Sequence, residues 1–253
     1  MRLACLLASL CLSAGLAHGA APEDPLQSAN WAELRKVYFA NQRIVFDNRV
    51  KVVAPKLAED SMNVPIGVSA EGLPDVEEVV VLADHNPIVK VLHFYPYGVK
   101  PALSFRLKLQ QASPIRALAR TRDGVWHAGG VWVDAAGGGC TAPSVGRASG
   151  SWSDTLNQVQ TRVWNRDGTH RLRLRIMHPM DTGLAPGIPA FYIERLSLTD
   201  TSGRELMRVL TFEPVSENPV FSFDLLPGKA TAEPLTLTGA DNNGNRIHSR
   251  VVQ

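Results

Sequence analysis

The segment Arg171-Leu172-Arg173-Leu174-Arg175-Ile176 alternates basic and apolar residues without a break, and Phe221-Ser222-Phe223-Asp224-Leu225 repeats the pattern with polar partners. Successive side chains of a strand point to opposite faces, so a period of two builds a sheet with one wet and one dry face, which suits antiparallel pairing. Seventeen prolines and twenty glycines interrupt the chain often and leave little room for long helices. Further strands are predicted at Val64–Val68, Val76–Leu82, Ile88–Phe94, Leu103–Leu109, Ile115–Arg122 and Val125–Val133. Asp123-Gly124, Asp167-Gly168 and Asn243-Gly244 mark hairpin turns, because both positions of such pairs tolerate positive φ. One helix precedes the strands: Trp31, Leu34 and Tyr38 fall at helical spacing, with Asn30 as its expected cap and Glu33 completing a capping box.

The N-terminus does not belong to the fold. Arg2, the apolar stretch Leu3–Leu16 and the small residues Ala17-His18-Gly19 form a secretory signal peptide over 1–19, which places the protein in the periplasm. Residues 20–136 and 154–253 are each about the size of an immunoglobulin-like sandwich. Residues 137–153, rich in Gly, Ala and Ser, read as a linker between them. The expected fold class is all-β: two tandem antiparallel β-sandwiches with a short N-terminal helix, in contact with each other. Asn86-Pro87-Ile88 and Asn218-Pro219-Val220 echo one another at the start of a strand in each half.

Composition excludes several functions. A formal net charge of +2, spread along the chain, offers no footprint for nucleic acid. No internal run of 18 apolar residues is present, so no membrane span is expected. Neither a nucleophile elbow, a phosphate loop, a zinc-protease helix nor a dinucleotide fingerprint occurs, and no cofactor is expected. His178 and Asp181, with His170 nearby, are too few for a metal site; a turn closed by Asp181 and Gly183 explains them better. His85 belongs to the Asp-His-Asn-Pro turn, and His93-Phe94-Tyr95-Pro96-Tyr97 reads as sandwich core or edge, with a docking patch as the other option.

Signal cleavage removes Cys5 and Cys11 and leaves Cys140 alone, directly after Gly137, Gly138 and Gly139. A free cysteine is usually a small core residue. Three glycines, however, supply no side chains to bury a thiol, so the expectation is an exposed arm that carries the sulfur into a partner's pocket. An intermolecular disulfide and an incidental linker cysteine are the other readings. No histidine or lysine close in sequence lowers the thiol pKa, so chemistry belongs to a partner enzyme and the protein is not itself one.

These residues resemble a fusion of the two subunits of the SoxYZ sulfur carrier. The SoxY resemblance rests on Val64-Pro65-Ile66-Gly67-Val68, Ala83-Asp84-His85-Asn86-Pro87 and the glycine-cysteine segment. The SoxZ resemblance rests on His178-Pro179-Met180-Asp181-Thr182-Gly183, Ile188–Ile193, Val215–Pro219 and Asp241-Asn242-Asn243-Gly244. The single-chain arrangement is most similar to carriers associated with quinoprotein dehydrogenases. The resemblance implies immunoglobulin-like and fibronectin-like sandwiches, a periplasmic location, and sulfur intermediates held covalently on Cys140. Implied partners are sulfur-oxidation enzymes, or a quinoprotein dehydrogenase or cytochrome. SoxY ends on a free Gly-Gly-Cys-Gly-Gly tail, whereas here the cysteine lies mid-chain, tethered at both ends and followed by Pro143. Two function classes stay open: a covalent sulfur carrier, and a non-covalent adaptor that docks a dehydrogenase or cytochrome.

Overall fold

Strands with apolar residues at every second position bury them by stacking sheet on sheet. The computed structural model describes residues 24–146, 152–166, 169–226 and 234–251, and in it two sheets stack in this way. The larger runs in the order β1 (Ile44–Phe46), β9 (Trp126–Ala135), β8 (Ser113–Thr121), β5 (Val76–Ala83), β6 (Lys90–Tyr95), β13 (Glu205–Thr211), β12 (Ile193–Thr199), β15 (Leu235–Asp241), β16 (Arg246–Val251). The short β3 (Leu57–Ala58) pairs with the far end of β9. The smaller sheet is β10 (Val159–Arg166), β11 (Thr169–Ile176), β14 (Val220–Asp224), β7 (Ala102–Leu107), β4 (Val64–Ser69), β2 (Lys51–Val53). Among the described residues the ladders are antiparallel, except that β1 and β3 run parallel to β9. The chain is all-β, as its alternation requires, with a helix α1 (Trp31–Phe39) and one helical turn α2 (Trp152–Thr155).

The two halves share both sheets. β6 pairs with β13, Leu92 opposite Thr211 and Phe94 opposite Val209, while β7 meets β14 at Ser104 and Ser222. One continuous core results, in which Leu92, Phe94 and Leu107 pack with Leu172, Val209 and Phe221. The contact expected between the sandwiches is therefore a covalently linked, hydrogen-bonded seam with no solvent gap between cores.

The helix explains why Val79–Ala83 is apolar at every position. Its Trp31, Leu34 and Phe39 cover the outer face of β5, β8 and β9, burying Val80, Leu82, Leu118 and Trp126 from that side. Arg116 is trapped beneath it, with its guanidinium 4.3 Å from the Trp31 ring and bonded to Asp84 and Asp24. Asn30 does not cap the helix with its side chain. Its amide instead donates to the Asp84 carbonyl at 3.0 Å, so it ties the helix to the sheet.

A strand boundary also differs from the sequence reading. The strand expected to reach Leu109 ends at Leu107, because Lys108 N turns to Pro214 O and Leu109 N to Ser61 O. Gly124 and Gly244 adopt φ of +82° in their hairpins, whereas Asp123 and Asn243 before them do not take positive φ. The Asp167-Gly168 turn and the 1–19 signal segment lie outside the described residues. Among the described residues no helix is long and apolar enough to cross a membrane.

Candidate functional site

Beyond β9 the chain passes the end of the seam as Gly137-Gly138-Gly139-Cys140. Gly137 and Gly138 take φ of +97° and +80°, a region open to glycine. At Gly139 a Cβ would lie 2.1 Å from Ser61 O, so only glycine lets the backbone approach this closely. The triglycine thus serves close packing. Gly137 N donates to Ser61 Oγ, Gly138 N to Gln110 O and Gly139 N to Leu109 O, all within 3.2 Å.

That packing corrects the expectation of an exposed thiol. Cys140 is 1% exposed. Its amide donates to Gln110 Oε1 at 3.2 Å, its carbonyl accepts from Thr182 Oγ1, and its Sγ lies 3.7 Å from Lys108 O. Gln110 and Lys108 come from the first half and Thr182 from the second, so the cysteine sits on the seam. The walls missing from a glycine arm are supplied by these neighbours. Burial pushes the thiol up to about 11, and the nearby Lys108 ammonium pulls weakly the other way.

Lys108 is the residue that sequence reasoning missed. It is 32 positions from Cys140 and 1% exposed, with Nζ donating to Met180 O. Burial holds its ammonium below the ordinary lysine range, opposed by Asp181, Cys140 and Glu217. A lone lysine between Leu107 and Leu109 was its only signal, since a fully buried lysine needs a reason.

The two Asn-Pro echoes both lead to this place. Asn86 donates to Lys108 O at 2.8 Å and accepts from Gln110 N at 2.9 Å, which fixes the two residues that hold the cysteine. Asn218 clamps His178 in the second half, its Oδ1 accepting from His178 N and its own N donating to His178 O. Downstream, Ser144 N donates to Asp181 Oδ1, while Val145 N and Gly146 N share the Glu217 carboxylate at 2.7 and 2.8 Å.

The His178–Gly183 segment is the turn the sequence suggested, with Met180 at φ +51° and Gly183 at +80°. Asp181 departs from that reading, because its carboxylate reaches across to the arm at Ser144. His178 is buried, accepts Met180 N on Nδ1 at 3.0 Å, and holds Nε2 3.6 Å from Asp241 Oδ2. Burial keeps the imidazole near 4, against the pull of Asp241. His170 lies at the opposite end of β11, and the described residues contain no group of three His, Cys, Asp or Glu that would hold a metal. Of the aromatic run, Phe94 is core, whereas His93 and Tyr95 stack at 4.3 Å and Tyr95 and Tyr97 at 6.0 Å.

Comparison with known proteins agrees with this division of labour. Residues 35–140 match the family "Sulfur oxidation protein SoxY", a match that ends on the cysteine, and residues 159–252 match "Sulphur oxidation protein SoxZ". No curated protein matches the chain. Among solved structures, the sulfur carrier protein SoxY from Chlorobium limicola f thiosulfatophilum is 18% identical, with a TM-score of 0.37 over 42% of this chain and 90% of its own. The chain belongs to the SoxY and SoxZ families of sulfur-oxidation proteins, joined here in tandem in one polypeptide.

Proposed function

We propose that the protein is a periplasmic sulfur carrier, exported by its N-terminal signal, which holds sulfur intermediates covalently on Cys140 and presents them to partner enzymes. The observation that carries this reading is the position of Cys140: the last residue of the SoxY match and the seam of both halves, beside a buried lysine. Loading thiosulfate onto the thiol forms an S–S bond with loss of one proton and two electrons. The acceptor for those electrons belongs to a partner, either a sulfur-oxidation enzyme or a quinoprotein dehydrogenase with its cytochrome. Catalysis is the partner's, and this chain supplies the handle.

A thiol near 11 that is closed off from solvent is unreactive, so the arm must open. Between residues 136 and 146 Cys140 is the only buried apolar side chain, so the arm is held by hydrogen bonds, to Ser61, Lys108, Leu109, Gln110, Asp181, Thr182 and Glu217. Segments with few buried apolar contacts open far below the global unfolding free energy.

Native-state alkylation of Cys140 at pH 7.5, read by intact mass across a urea series, tests this. Local opening gives a rate nearly independent of urea below the unfolding transition. The expected adduct on protein from the producing cells is sulfur or thiosulfonate that a reductant removes, and Cys140→Ser abolishes it without lowering stability by more than about 1 kcal/mol. Burial of the thiol favours one other reading, a non-covalent adaptor for a dehydrogenase or cytochrome. An alkylation rate that follows global unfolding, together with growth of the serine strain like wild type, would establish the adaptor in place of the carrier.

A further inference from the structure

The outer face of the six-stranded sheet carries arginines with no carboxylate partner among the described residues. Arg162 stands directly opposite Arg173, and Arg173 opposite Ser222, while Gln160, Arg175 and Val220 form the neighbouring row. Arg106 extends that second row on β7, two residues beyond Ser104, which pairs with Ser222. Arg106, Arg162, Arg173 and Arg175 line a depression of about 520 Å³, and among the described residues none of the four has a carboxylate partner. Like charges placed opposite one another weaken a sheet. Among the described residues, Asp224 on this part of the face is paired with Arg171 at 2.6 Å.

The four do not converge on one small ion. Arg162 and Arg173 lie over Trp164 at 5.9 and 5.5 Å, and Arg173 Nε also donates to Ser222 Oγ. Both guanidiniums are thereby drawn toward the Trp164 side, away from Arg106 and Arg175. A groove of about 880 Å³ continues across the same face past Ser222, Ser104 and Gly67. The result is a broad positive pad with shallow relief.

The pad also borders the cysteine. Arg106 is two residues from Lys108, whose carbonyl faces Cys140 Sγ, and Arg175 is three from His178. At roughly 3.3 Å per residue, a body seated on the arginines reaches the arm within about 10 Å. We propose that this face is the docking surface for an acidic patch on the protein that loads or unloads Cys140. The inference rests on the carrier reading, in that it names the chemistry of the carrier's partner. Steering by complementary charge raises association rates by roughly 10- to 1,000-fold and fades as salt screens it.

The test uses the full mature chain with the four arginines changed together to Gln, a second set changed to Lys, and an opposite-face control, Arg120→Gln. Each is incubated with the soluble extract of the producing cells and thiosulfate, and loading of Cys140 is followed by intact mass at 20 mM and 1 M NaCl. Expected are a loss of tenfold or more for the Gln set at low salt, near-wild-type loading for the Lys set and the control, and no difference between sets at 1 M NaCl. Equal loading of wild type and the Gln set at low salt would overturn the docking surface while leaving the carrier intact. Absence of loading on wild type would instead overturn the carrier. Docking is then judged on Cys140→Ser by its salt-sensitive retention of extract proteins, lost in the Gln set if the surface is real and kept if it is not. Saturable binding of inorganic thiosulfate or sulfate that the Gln set loses, or an arginine-dependent dimer in sedimentation, would assign the face to a small ion or a second copy and overturn the proposal.

Discussion

Two regions of the outer surface handle charge in opposite ways. On the ten-stranded sheet, Arg120 meets Glu77 and Glu78, Arg122 meets Asp75, Arg208 meets Glu205, and His93 meets Glu78. Where α1 covers that face, even a buried arginine has two carboxylates. On the six-stranded sheet Arg171 alone of the β11 arginines is paired, and its neighbours repel each other. The β5, β6, β8 and β13 part of the larger sheet answers its own charges, whereas the smaller sheet leaves four arginines without carboxylates among the described residues, open to an anion from outside.

The largest effect that would break this contrast lies under the helix. Arg116→Met leaves Asp84, fully buried, without its cation, and should lower stability by about 3–5 kcal/mol in urea unfolding. Asp84→Leu added to Arg116→Met should recover most of it, since an apolar pair of similar volume replaces a buried ion pair at little cost. A well-tolerated single variant would mean that the paired face does not depend on its pairing.

Acid should reveal the interior between the faces. His178 is held near 4 by burial, below the ordinary value of 6.5, so the unfolded chain binds the proton first. Stability is therefore complete above pH 6.5 and falls as the pH drops toward 4, by at most about 1.4 kcal/mol per pH unit from this group. In His178→Gln the slope over that window should diminish; an unchanged slope would assign acid sensitivity to other groups.

A smaller loss is expected on the exposed part of the paired face. Glu78→Gln removes the charge that serves both His93 and Arg120, at about 1.5 kcal/mol. Smallest of all is the effect on the unpaired face: Arg173→Gln should leave stability within about 0.5 kcal/mol or raise it, because it relieves repulsion from Arg162. Thermal melts of the two variants side by side sharpen the comparison. A large destabilisation by Arg173→Gln would show that its stacking on Trp164 is structural and not held ready for a partner.

Much of the architecture was written in local pattern. The alternation at Arg171–Ile176 and Phe221–Leu225 fixed which side chains enter the core, because strand geometry leaves no other choice, although Ser222 and Asp224 on the other face are themselves covered. Asp123-Gly124 and Asn243-Gly244 set their turns through the backbone freedom of glycine, with the Asp123 and Asp241 carboxylates accepting turn amides. The isolated Cys140 behind three glycines marked the place of interest, while the two Asn-Pro pairs were legible only as an echo at the start of a strand in each half.

What surrounds that cysteine was decided only in three dimensions. Glycines suit a loose arm and a tight approach equally well in sequence; the carbonyls of Ser61 and Leu109, 78 and 30 positions away from Gly139, select the tight approach here. Lys108 comes beside the thiol because β7 stops at Leu107 and its chain turns to Pro214 of the other half. The union of the halves into two shared sheets depends on β6 finding β13 and β7 finding β14, pairings between segments more than 100 residues apart. A strand's pattern states which face is dry but not which edge it will join, since backbone hydrogen-bonding groups are alike in every residue but proline.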